Sequence, residues 1–174
     1  KDAFWGGSSA GDMLIRYNSS LEPTRTVVLP DTTSFLAMAA APDSSLWIGC
    51  RDGLIKLRDG EFSPVPEQLG EIIEDSPVTG LITTAESIYV CITLKGIVKY
   101  DFADGAITKG IQTRVIVNRM SDVSCGLFDR EGRLWIGTRD RGIGNEYLVR
   151  KNFNISQSLR DLTAGKYINC AAAS

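Results

Sequence analysis

The 174-residue sequence contains no histidine. That absence excludes Ser-His-Asp and Cys-His catalysis, zinc sites that need imidazole, and a phospho-accepting histidine. The four cysteines, Cys50, Cys91, Cys125 and Cys170, include no C-x-x-C pair, so neither a metal site nor a thiol-redox motif is expected. No run approaches the roughly 18 consecutive apolar residues that a membrane-spanning helix needs. Excess charge is missing too. Nineteen Lys and Arg against 21 Asp and Glu give a net charge of −2, which is no footprint for nucleic acid or an anionic membrane. Helical signals are thin: "PEQLGEIIED" (66–75) and "SQSLRDLTAG" (156–165) each hold a turn or so on connecting loops. The chain opens at Lys1 with no initiator Met and no signal-peptide pattern, and stops at Ser174 where an Asp turn is expected. It therefore reads as a mature product or an excised piece.

What is present is a repeat. Trp5, Trp47, Tyr89 and Trp135 stand 42, 42 and 46 residues apart, and Gly11, Gly53, Gly96 and Gly142 follow them in step. Ahead of the aromatics, Ala39, Gly80, Cys125 and Cys170 share a register with spacings of 41, 45 and 45. Three landmarks keeping one period in the low forties mark a repeat architecture.

Each segment then declares its layer. The first strand of a unit is rich in Ala, Gly, Ser and Cys, which suits a crowded axis. The second, "LWIG", is apolar at successive positions, so both of its faces are covered. The third alternates, as in Ile55 and Leu57 against Lys56 or Val98 and Tyr100 against Lys99, the pattern of a half-exposed strand. Asp59-Gly60 and Asp104-Gly105 signal hairpins to a short fourth strand, and Glu131-Gly132 one between first and second strands. The expected fold is all-β: a β-propeller of four-stranded antiparallel blades over residues 1–174, with four repeats. The strand at 167–174 either completes the blade begun at Phe4-Trp5, closing a four-bladed ring, or the four units are part of a larger propeller.

The text lacks the Trp-Asp and Gly-His pairs of WD40 repeats, and its one Gly-Gly pair, Gly6-Gly7, is too few for kelch. It resembles the two-component-regulator propeller repeat, roughly D-x-x-G-x-L-W-I-G-T-x-x-G-L. The fourth unit matches at Asp129, Gly132, Leu134, Trp135, Ile136, Gly137, Thr138 and Gly142. The second matches at Asp43, Leu46, Trp47, Ile48, Gly49, Gly53 and Leu54, with Cys50 in place of Thr. The first keeps Trp5, Gly6 and Gly11; the third keeps Tyr89, Val90, Gly96 and Ile97. The resemblance implies the extracytoplasmic sensor region of hybrid two-component systems, hence a periplasmic or otherwise extracytoplasmic location. In such systems an immunoglobulin-like module, a membrane helix and a histidine kinase follow the propellers, and none of these is expected in this segment; from the residues themselves, no cofactor and no metal are expected either.

Function is expected at one end of the strands, where loops joining second to third strands meet loops joining one blade to the next. There the candidate ligand residues are Arg51, Asp52, Lys95, Arg119, Asp122, Arg139, Asp140 and Arg141. Mixed Arg and Asp suit a polar ligand such as an acidic oligosaccharide; the plainer reading is a ring of solvated turns. Trp5, Trp47, Tyr89 and Trp135 are expected to pack between blades rather than stack on sugars. Cys125 and Cys170 form either a disulfide or two buried thiols. No catalytic residue is expected. A protein-interaction scaffold, with a homodimer formed through open edges, is the alternative, and a propeller lactonase or lyase the third.

Overall fold

An unbroken apolar strand needs cover on both faces. The strand "LWIGC", β5 (Leu46–Cys50), is buried at every position, as is "SIYVCI", β9 (Ser87–Ile92). In the computed structural model, which describes residues 4–7, 13–30, 34–109, 123–138 and 142–147, both are second strands of antiparallel sheets. The first sheet joins β1 (Phe4–Gly7), β2 (Met13–Tyr17) and β3 (Pro23–Val28). The second joins β4 (Phe35–Ala40), β5, β6 (Gly53–Arg58) and β7 (Glu61–Ser63). The third joins β8 (Val78–Thr83), β9, β10 (Gly96–Asp101) and β11 (Ile107–Thr108). The fourth joins β12 (Val123–Phe128), β13 (Arg133–Thr138) and β14 (Gly142–Tyr147). Among the described residues one helix, α1 (Glu67–Ile73), bridges the second and third sheets, where the first of the two helical signals falls.

The sheets pack in chain order through three shared cores. Leu14, Val27 and Leu29 meet Leu46, Ile48 and Leu57 between the first and second sheets. Trp47 meets Leu69 and Ile73 of α1 and Val78, Ile88 and Val90 between the second and third. Ile82, Tyr89 and Ile97 meet Val123, Leu134 and Ile136 between the third and fourth. Cys50 and Cys91 are free thiols in these cores. Burial first, then the neighbouring Cys125, pushes the Cys91 thiol up to about 12, so it is not a nucleophile at neutral pH. Cys170 lies outside the described residues, as does the second helical signal.

The described residues do not extend to the closure of a four-bladed ring. They make four separate sheets, and the strand expected to close the ring, 167–174, lies outside them. The described residues are nearly all-β, with every sheet antiparallel.

Two corrections concern register. Ala37, not Ala39, stands with Gly80 and Cys125: Ala37 pairs with Gly49, Gly80 with Cys91, and Cys125 with Gly137. A run of alanines hides the difference in the text, and a register irregularity at the same place in each first strand, between Phe35 and Ala37, Val78 and Gly80, and Val123 and Cys125, fixes it. Each of the three pairs contains one glycine, so the second strand can hold Cys91 where the first holds Gly80. Likewise Asp43 does not stand where Asp129 does. The turn bond Ala41 N–H to Ser45 carbonyl (2.8 Å) matches Asp129 N–H to Arg133 carbonyl (3.0 Å), so Ala41 occupies the place of Asp129.

Asp129 organises its hairpin. Its carboxylate accepts from the backbone N–H groups of Glu131 and Arg133 (both 2.9 Å), the Arg133 guanidinium (2.6 Å) and the Trp135 indole (2.8 Å). Desolvation pushes its pKa up, but these donors outweigh it and hold it down to about 2. A carboxylate depressed on folding stabilises above its unfolded pKa, near 3.8, and loses that contribution as pH falls toward 2. Asp129→Asn should therefore melt below the parent at pH 7, and the gap should close between about pH 4 and 2. Thermal melts across that range check it; a gap constant with pH would refute the assignment.

Candidate functional site

The strand pairing builds a recurring side-chain row. In the first three sheets the second-strand aromatic lies directly across from a basic residue on the third strand: Trp5 from Arg16, Trp47 from Lys56, Tyr89 from Lys99. The Lys56 ammonium sits 4.9 Å over the Trp47 ring, an attraction between cation and ring quadrupole. In the fourth sheet the partner position is Asn145, and Arg133 of the same strand reaches the Trp135 ring at 5.8 Å instead. In the first sheet the row continues to the fourth strand, Trp5, Arg16, Arg25.

The rows of Trp5 and Trp47 face clefts between successive sheets, at the end where first-to-second and third-to-fourth strand turns gather. Between the second and third sheets the cleft is about 210 Å³, lined by Trp47, Lys56, Tyr100 and Phe102 among others. Tyr100 and Phe102 bring their ring centroids to 6.1 and 6.4 Å from that of Trp47, and Trp47 donates its indole N–H to Ser45 Oγ at 3.2 Å. Between the first and second sheets the equivalent cleft is about 360 Å³, walled by Trp5, Arg16, Arg25, Leu46, Leu57 and Asp59. Arg25 is committed there: it donates to the carbonyls of Asp59 (2.6 Å) and Gly60 (3.2 Å) and to the Glu61 carboxylate (2.7 Å). It is received by the Asp59-Gly60 turn, where both residues have positive φ, 52° and 79°, as the tight hairpin signal demands.

The opposite end holds Arg51, Asp52 and Lys95, three of the eight residues the sequence nominated. Arg51 and Asp52 are exposed on the β5–β6 turn, beside the end of α1: a Cβ on the following Gly53 would stand 3.0 Å from the Glu74 carbonyl oxygen. Lys95, on the β9–β10 turn, arrives at the same place. Its Nζ donates to the carbonyls of Ile72 (2.9 Å) and Ile73 (3.2 Å) and to the Glu74 carboxylate (2.8 Å). It therefore caps the helix, supplying a cation to carbonyls that lack intrahelical partners. The hydrogen bond from Lys95, then its charge, holds the Glu74 carboxyl below its ordinary range. Arg119, Asp122, Arg139, Asp140 and Arg141 lie outside the described residues. Sequence reasoning missed Arg16 and the cleft it faces; the signal was the aromatic-to-basic pairing across the second and third strands. Among the described residues no cluster of His, Cys, Asp and Glu could hold a metal ion, and no helix is long and apolar enough to cross a membrane.

No protein-family model matches the sequence, and no curated protein matches it. Solved structures do. The extracellular domain of the one component system BT4673 from B. thetaiotaomicron is 20% identical with a TM-score of 0.70, over 99% of this chain and 24% of that one. The extracellular domain of the hybrid two component system BT3049, from the same organism, is 14% identical with a TM-score of 0.64, over 88% of this chain and 21% of that one. Virginiamycin B lyase from Staphylococcus aureus is 15% identical with a TM-score of 0.64, over 88% of this chain and 51% of that one. At these identities the likeness is one of fold. The two extracellular domains belong to systems of the kind the repeat text resembles, and this chain spans a quarter or less of their length and about half of the lyase's.

Proposed function

We propose that the chain is a non-catalytic, ligand-sensing part of a β-propeller, in the extracytoplasmic region of a two-component signalling protein. The observation that carries this is the fold match over 99% of the chain to the extracellular domain of a one component system. That the match spans only 24% of that domain supports a larger propeller over a closed four-bladed ring. A periplasmic or other extracytoplasmic location follows from the same reading.

In this proposal the ligand is polar, such as an oligosaccharide, and is taken at the end holding Arg51 and Asp52. Their side chains are exposed, while Lys95 holds the end of α1 beneath them as a positioning residue. The repeat pattern assigns Arg119, Asp122, Arg139, Asp140 and Arg141, which lie outside the described residues, to the same rim. The lyase likeness does not favour catalysis here. An inactive form of that enzyme carries alanine in place of a histidine, and this 174-residue sequence has no histidine to offer. Partner docking is the second reading, favoured by β3, an edge strand exposed at all but one position.

Thermal melts with acidic and neutral oligosaccharides test the proposal. A ligand at 100 times its Kd should stabilise by about 2.7 kcal/mol, and the Arg51→Ala/Asp52→Ala double variant should lose that shift at unchanged intrinsic stability. A panel that moves nothing, or a shift that survives the double variant, would sink the rim as the site.

A further inference from the structure

The two neighbouring clefts are copies of one geometry with different fillings. Registering third strands on Lys56 and Lys99 puts Leu57 where Tyr100 stands and Asp59 where Phe102 stands. In the second cleft two aromatic rings pack beside the indole of Trp47, which is 1% exposed. In the first cleft an aliphatic side chain and a short carboxylate take those places. The Trp5 indole is left half-buried against open space, and the cleft is about 360 rather than 210 Å³. The wider cleft lies where, one unit on, those two rings stand.

Charge decides what else the occupant carries. Arg16 lies across from Trp5 as Lys56 lies across from Trp47, and it forms no hydrogen bond or ion pair through its side chain among the described residues. Arg25, next in the row, is spent on Asp59, Gly60 and Glu61. Asp59 lines the cleft but makes no ion pair with Arg16, so the guanidinium is available to an anion in a pocket walled by Trp5, Leu46 and Leu57. A guanidinium beside an aromatic wall recognises a planar carboxylate by two parallel N–H donors.

We infer that the cleft between the first and second sheets binds a monocyclic aromatic carboxylate, its ring beside Trp5 in the space Tyr100 and Phe102 occupy one unit on, its carboxylate on Arg16. This site lies at the opposite end of the sheets from the rim and takes a different ligand.

Phenylacetate is the probe, titrated calorimetrically into the intact chain. Saturable binding is expected, about tenfold or more weaker for phenylacetamide, which lacks the anion, and for Arg16→Ala, an exposed position. Ala40→Phe, which fills the cleft from another exposed position, should abolish binding, with melting midpoints of both variants near that of the parent. The Arg51→Ala/Asp52→Ala variant should bind phenylacetate as the parent does, which separates this site from the rim. No binding at millimolar phenylacetate, binding undiminished in both cleft variants, or tighter binding of cyclohexanecarboxylate or glucuronate than of phenylacetate would overturn the assignment.

Discussion

Trp47→Ala should lower the stability of the chain by about 3–5 kcal/mol, the range for emptying a buried aromatic site. Trp47 is 1% exposed and is held on every side by parts of two sheets: the rings of Tyr100 and Phe102 from the third, Lys56 and Ser45 from its own. The loss falls on an interface and not inside one sheet, so the second and third sheets should separate before either unpairs. At roughly 2–4 °C per kcal/mol for a chain of this size, the drop in melting midpoint should approach 10 °C or more. Trp47→Phe is the control. It keeps a ring against Tyr100 and gives up the indole bond to Ser45, about 1 kcal/mol, along with some packing. A Trp47→Ala cost under about 1 kcal/mol would mean that something other than this plug joins the sheets.

Gly49→Ala should destabilise nearly as much for the opposite reason. A Cβ at Gly49 would stand 2.5 Å from the Val78 carbonyl oxygen and 2.7 Å from Val78 Cγ1. Those atoms belong to the first strand of the next sheet, and a backbone oxygen cannot rotate away. Overpacking of this kind costs typically about 1–3 kcal/mol, more where the obstacle is main chain. The companion substitution Gly70→Ala, in a helix position where a Cβ meets nothing within 4 Å, should be neutral or slightly stabilising. Chemical denaturation of the pair separates close approach from a general intolerance of alanine. Equal midpoints would show that the sheets can part at no cost.

Strand layers were legible in the text because each has its own arithmetic: unbroken apolar runs for β5 and β9, alternation for β6 and β10, Asp-Gly at the outer hairpin. What was not legible depends on residues far apart in the chain. Lys95 reads as a rim cation until its Nζ is seen on carbonyls 22 and 23 residues earlier. Cys91 reads as a departure from "LWIG", yet the glycine is merely across the strand pair at Gly80. The open cleft was the hardest to foresee. It arises because Leu57 and Asp59 are smaller than the Tyr100 and Phe102 that stand in their places one unit later, a comparison that requires the pairing register first. Ala39 and Asp43 were misplaced for the same reason, since text alone does not say how many residues a turn spends.

The arrangement of the three cores has a consequence for how the chain acquires its structure. Each core is owned by two consecutive sheets, so the stability is a sum of nearest-neighbour terms along the sequence. Most pairings close loops of only a few residues, and even the longer docking contacts span about one repeat, so the entropy of loop closure stays small at every step. During synthesis each newly finished sheet would meet a predecessor already presenting its complementary apolar face, and order would spread along the chain as it emerges rather than wait for its far end.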